Sequence, residues 1–356
     1  MGNKADLSNP MHFQSNSNFR RGPKDTRMEV DASGLNGISK KLFESPFTTP
    51  KSSTQGRIGC SSTKGKKLTT GSTSVGAKRF RSVLPKGIKW NFPITSDMKL
   101  DLPELQAIAY VYHPDKDKSK RLARAMGIEA TRADFDTLRP GHMVNHKIMS
   151  LVARRATWVQ ENYKRGTVWY LPPAFADDIF SGKSAYELAN TYSKDWMPSN
   201  PKLKYIYIPI NIAEDHWFLM VVSMQLGTIY HLDSHCNMGD VKPRKATISM
   251  IACALQDMFT TEFFGSTFPG RMLGLDEWPI EEARGIPNCG HSNNAAVWVI
   301  DWIDMDQCFT PNMQGELKEN MVRVKTAAIL VLGLQNDMWT FIEEESKTFW
   351  DLLLIK

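Results

Sequence analysis

The stretch YIYIPINIAEDHWFLMVVSM, Tyr205–Met224, followed by GTIYHLDS, Gly227–Ser234, decides the fold. Its β-branched and aromatic runs predict three strands, Lys204–Ile212, Trp217–Met224 and Thr228–Leu232. The last two are joined by a tight turn over Gln225–Gly227, so they form a hairpin. His216 ends the loop Ala213-Glu214-Asp215 and opens the middle strand. Asp233 ends its partner. A hairpin brings those two ends together, and an imidazole held beside a carboxylate is fixed in one tautomer and made a better base. A surface histidine near a turn aspartate is also a common coincidence, so the pair alone does not define a site.

Working outward, GIPNCGHSNNAAVWVIDWI spans Gly285–Ile303. Ala295–Ile303 is apolar on nearly all sides and reads as a buried helix, with Asn293 or Asn294 as its N-cap. Upstream, Leu102–Tyr112 predicts a short helix and Ile128–Leu138 a mixed, strand-like segment. Gly141–Gln160 has helical spacing at Met143, Val144, Ile148, Leu151 and Val152. Trp169–Ile179, with Pro172-Pro173, reads as a loop leading to a helix. Thr247–Phe259 is an amphipathic helix, and Glu319–Leu334 and Ser346–Ile355 read as closing helices. There is no internal repeat. The class is α+β, a small central mixed sheet packed between helices.

The chain has 356 residues and 42% hydrophobic residues, enough for a sizeable core. Its net charge of +6 hides an asymmetry. Residues 1–90 hold 17 Lys/Arg against 5 Asp/Glu, a net of +12, so the rest carries −6. Those first 90 residues are poor in aliphatic side chains and cannot offset the entropy of ordering, which predicts a disordered basic tail. The globular domain is expected over residues 91–356. Lys64, Lys66, Lys67 and Lys78, Arg79, Arg81 offer nucleic acid or an import receptor a weak contact; a plain solvated tail is an equally good reading. Ser45-Pro46 and Thr49-Pro50 suit proline-directed phosphorylation. MGNKAD has the glycine for myristoylation but Asp6 where Ser or Thr is needed. Five cysteines, Cys60, Cys236, Cys253, Cys289 and Cys308, with no signal peptide and no apolar run of membrane length, predict free thiols in an intracellular setting, nucleus or cytoplasm. No membrane contact is expected.

The succession IYIPIN, HW, LDS, then an Ile-Pro segment leading to a Val-Trp-Val helix resembles the ubiquitin-like-protein-specific proteases, the SUMO-protease family, numerous in plants and plant transposons. LRPGHMVNHKIMSLV, Leu138–Val152, resembles the family's opening helix. The resemblance implies a papain-like, adenovirus-proteinase-like α+β cysteine protease fold. It implies a ubiquitin-like modifier or its conjugates as partner, and no cofactor. By the same resemblance His216 is the general base and Asp233 orients it. Trp217 helps clamp the modifier's extended Gly-Gly tail. Met143 stands where the family has a second clamping tryptophan.

The family continues with Pro-x-Gln-x-Asn-x-x-Asp-Cys-Gly, in which the glutamine is an oxyanion donor and the cysteine attacks. Aligning Pro287 with that proline needs no gap. Cys289 then takes the glutamine position, His291 the asparagine, Asn294 the aspartate, Ala295 the cysteine and Ala296 the glycine. Taking Cys289-Gly290 as the nucleophile pair instead needs a six-residue shift and puts His291–Asn294 where the helix should be apolar. A thiolate is activated at a helix N-terminus, where free amides and the macrodipole lower its pKa. The helix begins near Ala295, so the first alignment is preferred. A methyl group has no lone pair, and a thiol at Cys289 is a weak donor.

The expectation is therefore a protease scaffold with impaired chemistry. An active cysteine peptidase or isopeptidase using Cys289 with His216 and Asp233 is one alternative. A non-catalytic modifier-binding module of transposon origin, or a remnant under no catalytic demand, is the other. Cys289, His291, His231, His235 and Cys236 fit no standard zinc spacing, so no metal is expected.

Overall fold

The computed structural model describes residues 92–355 except 165, 213–215, 238, 266–273, 287, 289–291 and 305–316. The basic tail expected over residues 1–90 lies outside the described residues, as do Pro287, Cys289, Gly290 and His291.

Helix α1, Leu102–Val111, opens on a capping box: Asp101 Oδ1 accepts from the Glu104 amide at 3.1 Å, and Glu104 Oε2 accepts from the Asp101 amide at 2.8 Å. Strands β1, Arg121–Ala125, and β2, Ile128–Thr131, form a small antiparallel hairpin. The segment Ile128–Leu138 was expected to be strand-like, and only its first four residues are. Thr131 then caps helix α2, Arg132–Asp136, with Asp134 reaching back to the Thr131 amide at 2.7 Å. A capping pair ends the strand there, and the alternation of the short run hid it.

Helix α3, His146–Tyr163, starts later than the apolar spacing suggests. Asn145 caps it, its Oδ1 accepting from the Ile148 amide at 3.0 Å. Met143 and Val144 thus lie on the approach to the helix. Next come β3, Val168–Tyr170, helix α4, Pro173–Phe180, and helix α5, Ala185–Trp196. Sequence reading missed β3, which is only three residues long. It also missed α5, whose capping box runs from Ser184 to Glu187 and whose buried stripe is Leu188, Ala189, Tyr192 and Trp196.

The three central strands are β4, Tyr205–Ile212, β5, His216–Ser223, and β6, Thr228–Leu232. Gly227 adopts φ 61°, which the turn into β6 requires and a side chain would resist. Helix α6, Val241–Phe259, starts six residues before the expected one. The rest of the chain supplies α7, Glu262–Gly265, β7, Ile280–Glu282, α8, Ser292–Asp304, α9, Glu319–Leu332, and α10, Trp339–Ile355.

The main sheet runs β3-β4-β5-β6-β7. Its outer pairs are parallel and its inner two antiparallel, so it is mixed. Every residue of β5 and β6 is buried. That burial fixes the register, because a one-residue slip would exchange the two apolar faces. Leu219 pairs with Leu232 and Met220 with His231. Asp233 is therefore level with Phe218, on the same face as His216, and diagonal to it. No helix of the described residues is long and apolar enough to cross a membrane.

Candidate active site

The diagonal placement becomes a contact. His216 Nε2 lies 3.0 Å from Asp233 Oδ1, and the two side chains are 10% and 2% exposed. Asp233 has a donor on each oxygen. Oδ1 also accepts from the His235 amide at 2.8 Å, and Oδ2 accepts from Arg244 Nη1. An ionised carboxylate is an acceptor only, so the contact with His216 requires a proton on Nε2. In the neutral imidazole the lone pair is then on Nδ1, on the ring edge away from Asp233.

Arg244 was not anticipated. It lies in the first turn of α6, on the same stripe as Ile248, Ile251 and Leu255. An arginine on an apolar stripe is a legible signal, because a buried guanidinium must find acceptors. Nη1 also donates to the His235 carbonyl at 3.2 Å, and Nη2 lies 3.4 Å from Asp240.

His231 sits on the same face, two residues before Asp233. Burial, reinforced by Arg244, pushes its imidazole down to about 4. It is neutral at ordinary pH, and its Nε2 is 3.5 Å from Asp233 Oδ2 without hydrogen-bond alignment. Cys236 follows, its thiol pushed up to about 11, mainly by burial. Donor atoms of His231, Asp233 and Cys236 lie within 4.8 Å of one another, so the fold gathers what the spacing did not suggest. The set does not suit a cation. Both Asp233 oxygens are already taken, the thiol is held protonated, and a metal bound there would abut the Arg244 guanidinium.

Helix α8 packs against β5. It starts at Ser292 rather than near Ala295, so Asn293 and Asn294 are first-turn residues and not caps. Ala295 remains in that turn and is completely buried. Asn294 is bracketed by α9: its Nδ2 donates to Glu319 and its Oδ1 accepts from Arg323 Nη2 at 3.1 Å. Cys289, in either of its expected roles, lies outside the described residues.

Trp217 is fully buried, and its indole N–H donates to the Val144 carbonyl at 3.0 Å. Met143 is half-buried against the core. His146, another residue not anticipated, places its ring 5.0 Å from that of Trp217 and its Nδ1 3.3 Å from Asp177. The Val144 carbonyl and the His146 ring thus pack against the indole expected to touch a modifier tail.

The signature of the Ulp1 protease family, C-terminal catalytic domain, matches residues 142–323. The structure of SUMO protease Ulp1 with its catalytic cysteine oxidised to a sulfenic acid is similar, with a TM-score of 0.50 at 17% identity over 67% of this chain and 97% of that one. The C-terminal Ulp1 protease domain in complex with Smt3, the yeast orthologue of SUMO, gives 0.49 at 17% identity over 67% and 97%. The Ulp1-like SUMO protease catalytic domain of Chaetomium thermophilum gives 0.43 at 16% identity over 67% and 93%. No curated protein matches the chain. At such identity the first of these structures speaks to the fold alone, which is that of a Ulp1-like cysteine protease. The signature is the stronger finding. It covers more than half of the chain, from the residue before Met143 to Arg323, and so takes in His216, Asp233 and α8. On that ground the chain belongs to the Ulp1 protease family.

Proposed function

We propose that this domain engages the C-terminal tail of a SUMO-like modifier and that its hydrolytic chemistry is impaired at the nucleophile. One observation carries the reading. The His216–Asp233 pair is intact at 3.0 Å, while the first turn of the helix against β5 holds the buried Ala295. With alanine there, His216 has no thiol to deprotonate, so the covalent route through an attacking sulfur is closed. The gap-free alignment from Pro287 supports Ala295 as the nucleophile position, and membership of the Ulp1 family supports a SUMO-like modifier as partner. The tail's contact runs over the half-buried Met143 and over His146, whose ring lies beside the buried Trp217.

The test uses the full chain with mature SUMO, a SUMO fusion, and SUMO carrying a C-terminal electrophile. Mature SUMO is expected to bind, the fusion to stay intact, and Cys289 to remain unlabelled. Ala295→Cys with Cys289→Gln replaces nucleophile and oxyanion donor together and is expected to gain labelling at the new thiol. Robust cleavage by the unmodified chain, lost in Cys289→Ala, would make Cys289 the nucleophile and sink the reading. Absence of any SUMO binding would remove the partner.

A further inference from the structure

We infer that Arg244 is the positioning residue for the His216–Asp233 pair, an inference that rests on that pair being the functional centre of the Ulp1-type site. The Asp233 side chain is 2% exposed, so water cannot replace a missing donor. Its Oδ1 is satisfied by His216 and the His235 amide. Its Oδ2 has Arg244 as its aligned hydrogen-bond donor. Without that cation Asp233 Oδ2 would keep no aligned donor among the described residues, since His231 Nε2, 3.5 Å away, is out of alignment. The carboxylate would then turn about its last side-chain bond toward another donor, or take up a proton. The first change removes the acceptor that fixes Nε2–H on His216, and the second weakens it to a neutral carboxyl oxygen.

Arg244 is itself well held. Its backbone belongs to a 19-residue helix, and its side chain is 9% exposed. The same guanidinium reaches the His235 carbonyl and Asp240. It therefore fastens the turn after β6 and the carboxylate in one grip. The planar fork suits this work better than an ammonium, which is a point charge without fixed donor directions. The side chain does not touch the position of a reacting atom. It acts through Asp233.

The experiment reads the histidine directly and needs no turnover. Long-range proton–nitrogen spectra of the ring are recorded on the full chain, ¹⁵N-labelled, as wild type, Arg244→Met and Arg244→Lys. Wild type is expected to show a downfield Nε2–H that exchanges slowly with water. In Arg244→Met its exchange should quicken about tenfold or more, the equivalent of one charge-assisted hydrogen bond. Arg244→Lys should recover part of that protection. Backbone amide spectra report whether each variant is folded. If Arg244→Met does not fold, Arg244→Lys and Asp240→Asn carry the test, with quicker exchange expected in the first and a smaller change in the second. A folded Arg244 variant with unaltered Nε2–H exchange overturns the inference. Because SUMO binding is measured separately, loss of binding with an intact Arg244 effect would discard the proposed function and leave this inference standing.

Discussion

Arg323→Met is expected to destabilise the domain by roughly 3–5 kcal/mol, the range for removing a fully engaged buried charge. Arg323 has no solvent exposure. Its Nη1 donates to the carbonyls of Thr137, Arg139 and His142 at 3.4, 3.1 and 3.0 Å. Its Nη2 donates to the Asn293 carbonyl at 2.9 Å and to Asn294 Oδ1 at 3.1 Å. One guanidinium thus ties α9 to the loop before Met143 and to the first turn of α8. These are the two segments that flank the candidate site. Methionine matches the length and removes the charge, so the loss comes from abandoned acceptors in a site closed to water. Lysine should recover less than half of it, because one ammonium cannot span acceptors on both segments. Urea denaturation gives the magnitude. Hydrogen exchange should show the first turn of α8 and residues 137–143 opening before the central sheet. A variant within about 1 kcal/mol of wild type would mean that those acceptors find other partners.

The strands and the His216–Asp233 contact were legible because burial leaves a mark in the sequence. β5 and β6 are buried on both faces and read as unbroken apolar runs, and the hairpin turn then dictates which ends meet. The capped elements were harder. At Thr131 and Asn145 a side chain decides where a helix starts, and it does so against the apolar spacing. The three-residue strands β3 and β7 exist because a neighbouring strand offers hydrogen bonds, which no local pattern records. Arg244 and Arg323 were overlooked for another reason. Each occupies a core-facing place on an amphipathic helix, Arg323 in line with Ala327 and Leu330. An arginine there interrupts the apolar pattern. Physically it is a demand for acceptors, and in this chain both demands are met at the candidate site. The start of α8 was misplaced for a related reason, since Asn294 is satisfied by α9 and not by its own helix.

Asp301→Asn is expected to stabilise the protein by up to about 4 kcal/mol at pH 8 and by almost nothing at pH 4. Asp301 is buried on α8, its Oδ1 has no hydrogen-bond partner among the described residues, and Asp304 is close. Burial first, and then the Asp304 charge, push its carboxyl up to about 7 from 3.8. Between those values the folded state binds the proton and the unfolded chain does not. Stability from this group is therefore complete below about pH 4 and lost as pH rises to about 7. His231 works in the opposite direction. Its ordinary value is 6.5 and its folded value about 4, so its contribution is complete above pH 6.5 and is lost as pH falls to about 4. That swing is about 3 kcal/mol at 1.36 kcal/mol per unit. Across pH 4–6.5 the two slopes nearly cancel, so these groups together leave wild-type stability flat there. Each single variant should unmask the other group. Asp301→Asn should gain stability steadily from pH 4 to 6.5, and His231→Leu should lose it from pH 4 to 7. Urea midpoints measured across that range check both signs. An Asp301→Asn protein no more stable than wild type at pH 8 would show that the carboxylate is solvated in the folded state, and would leave His231 as the main source of any acid sensitivity from the pair.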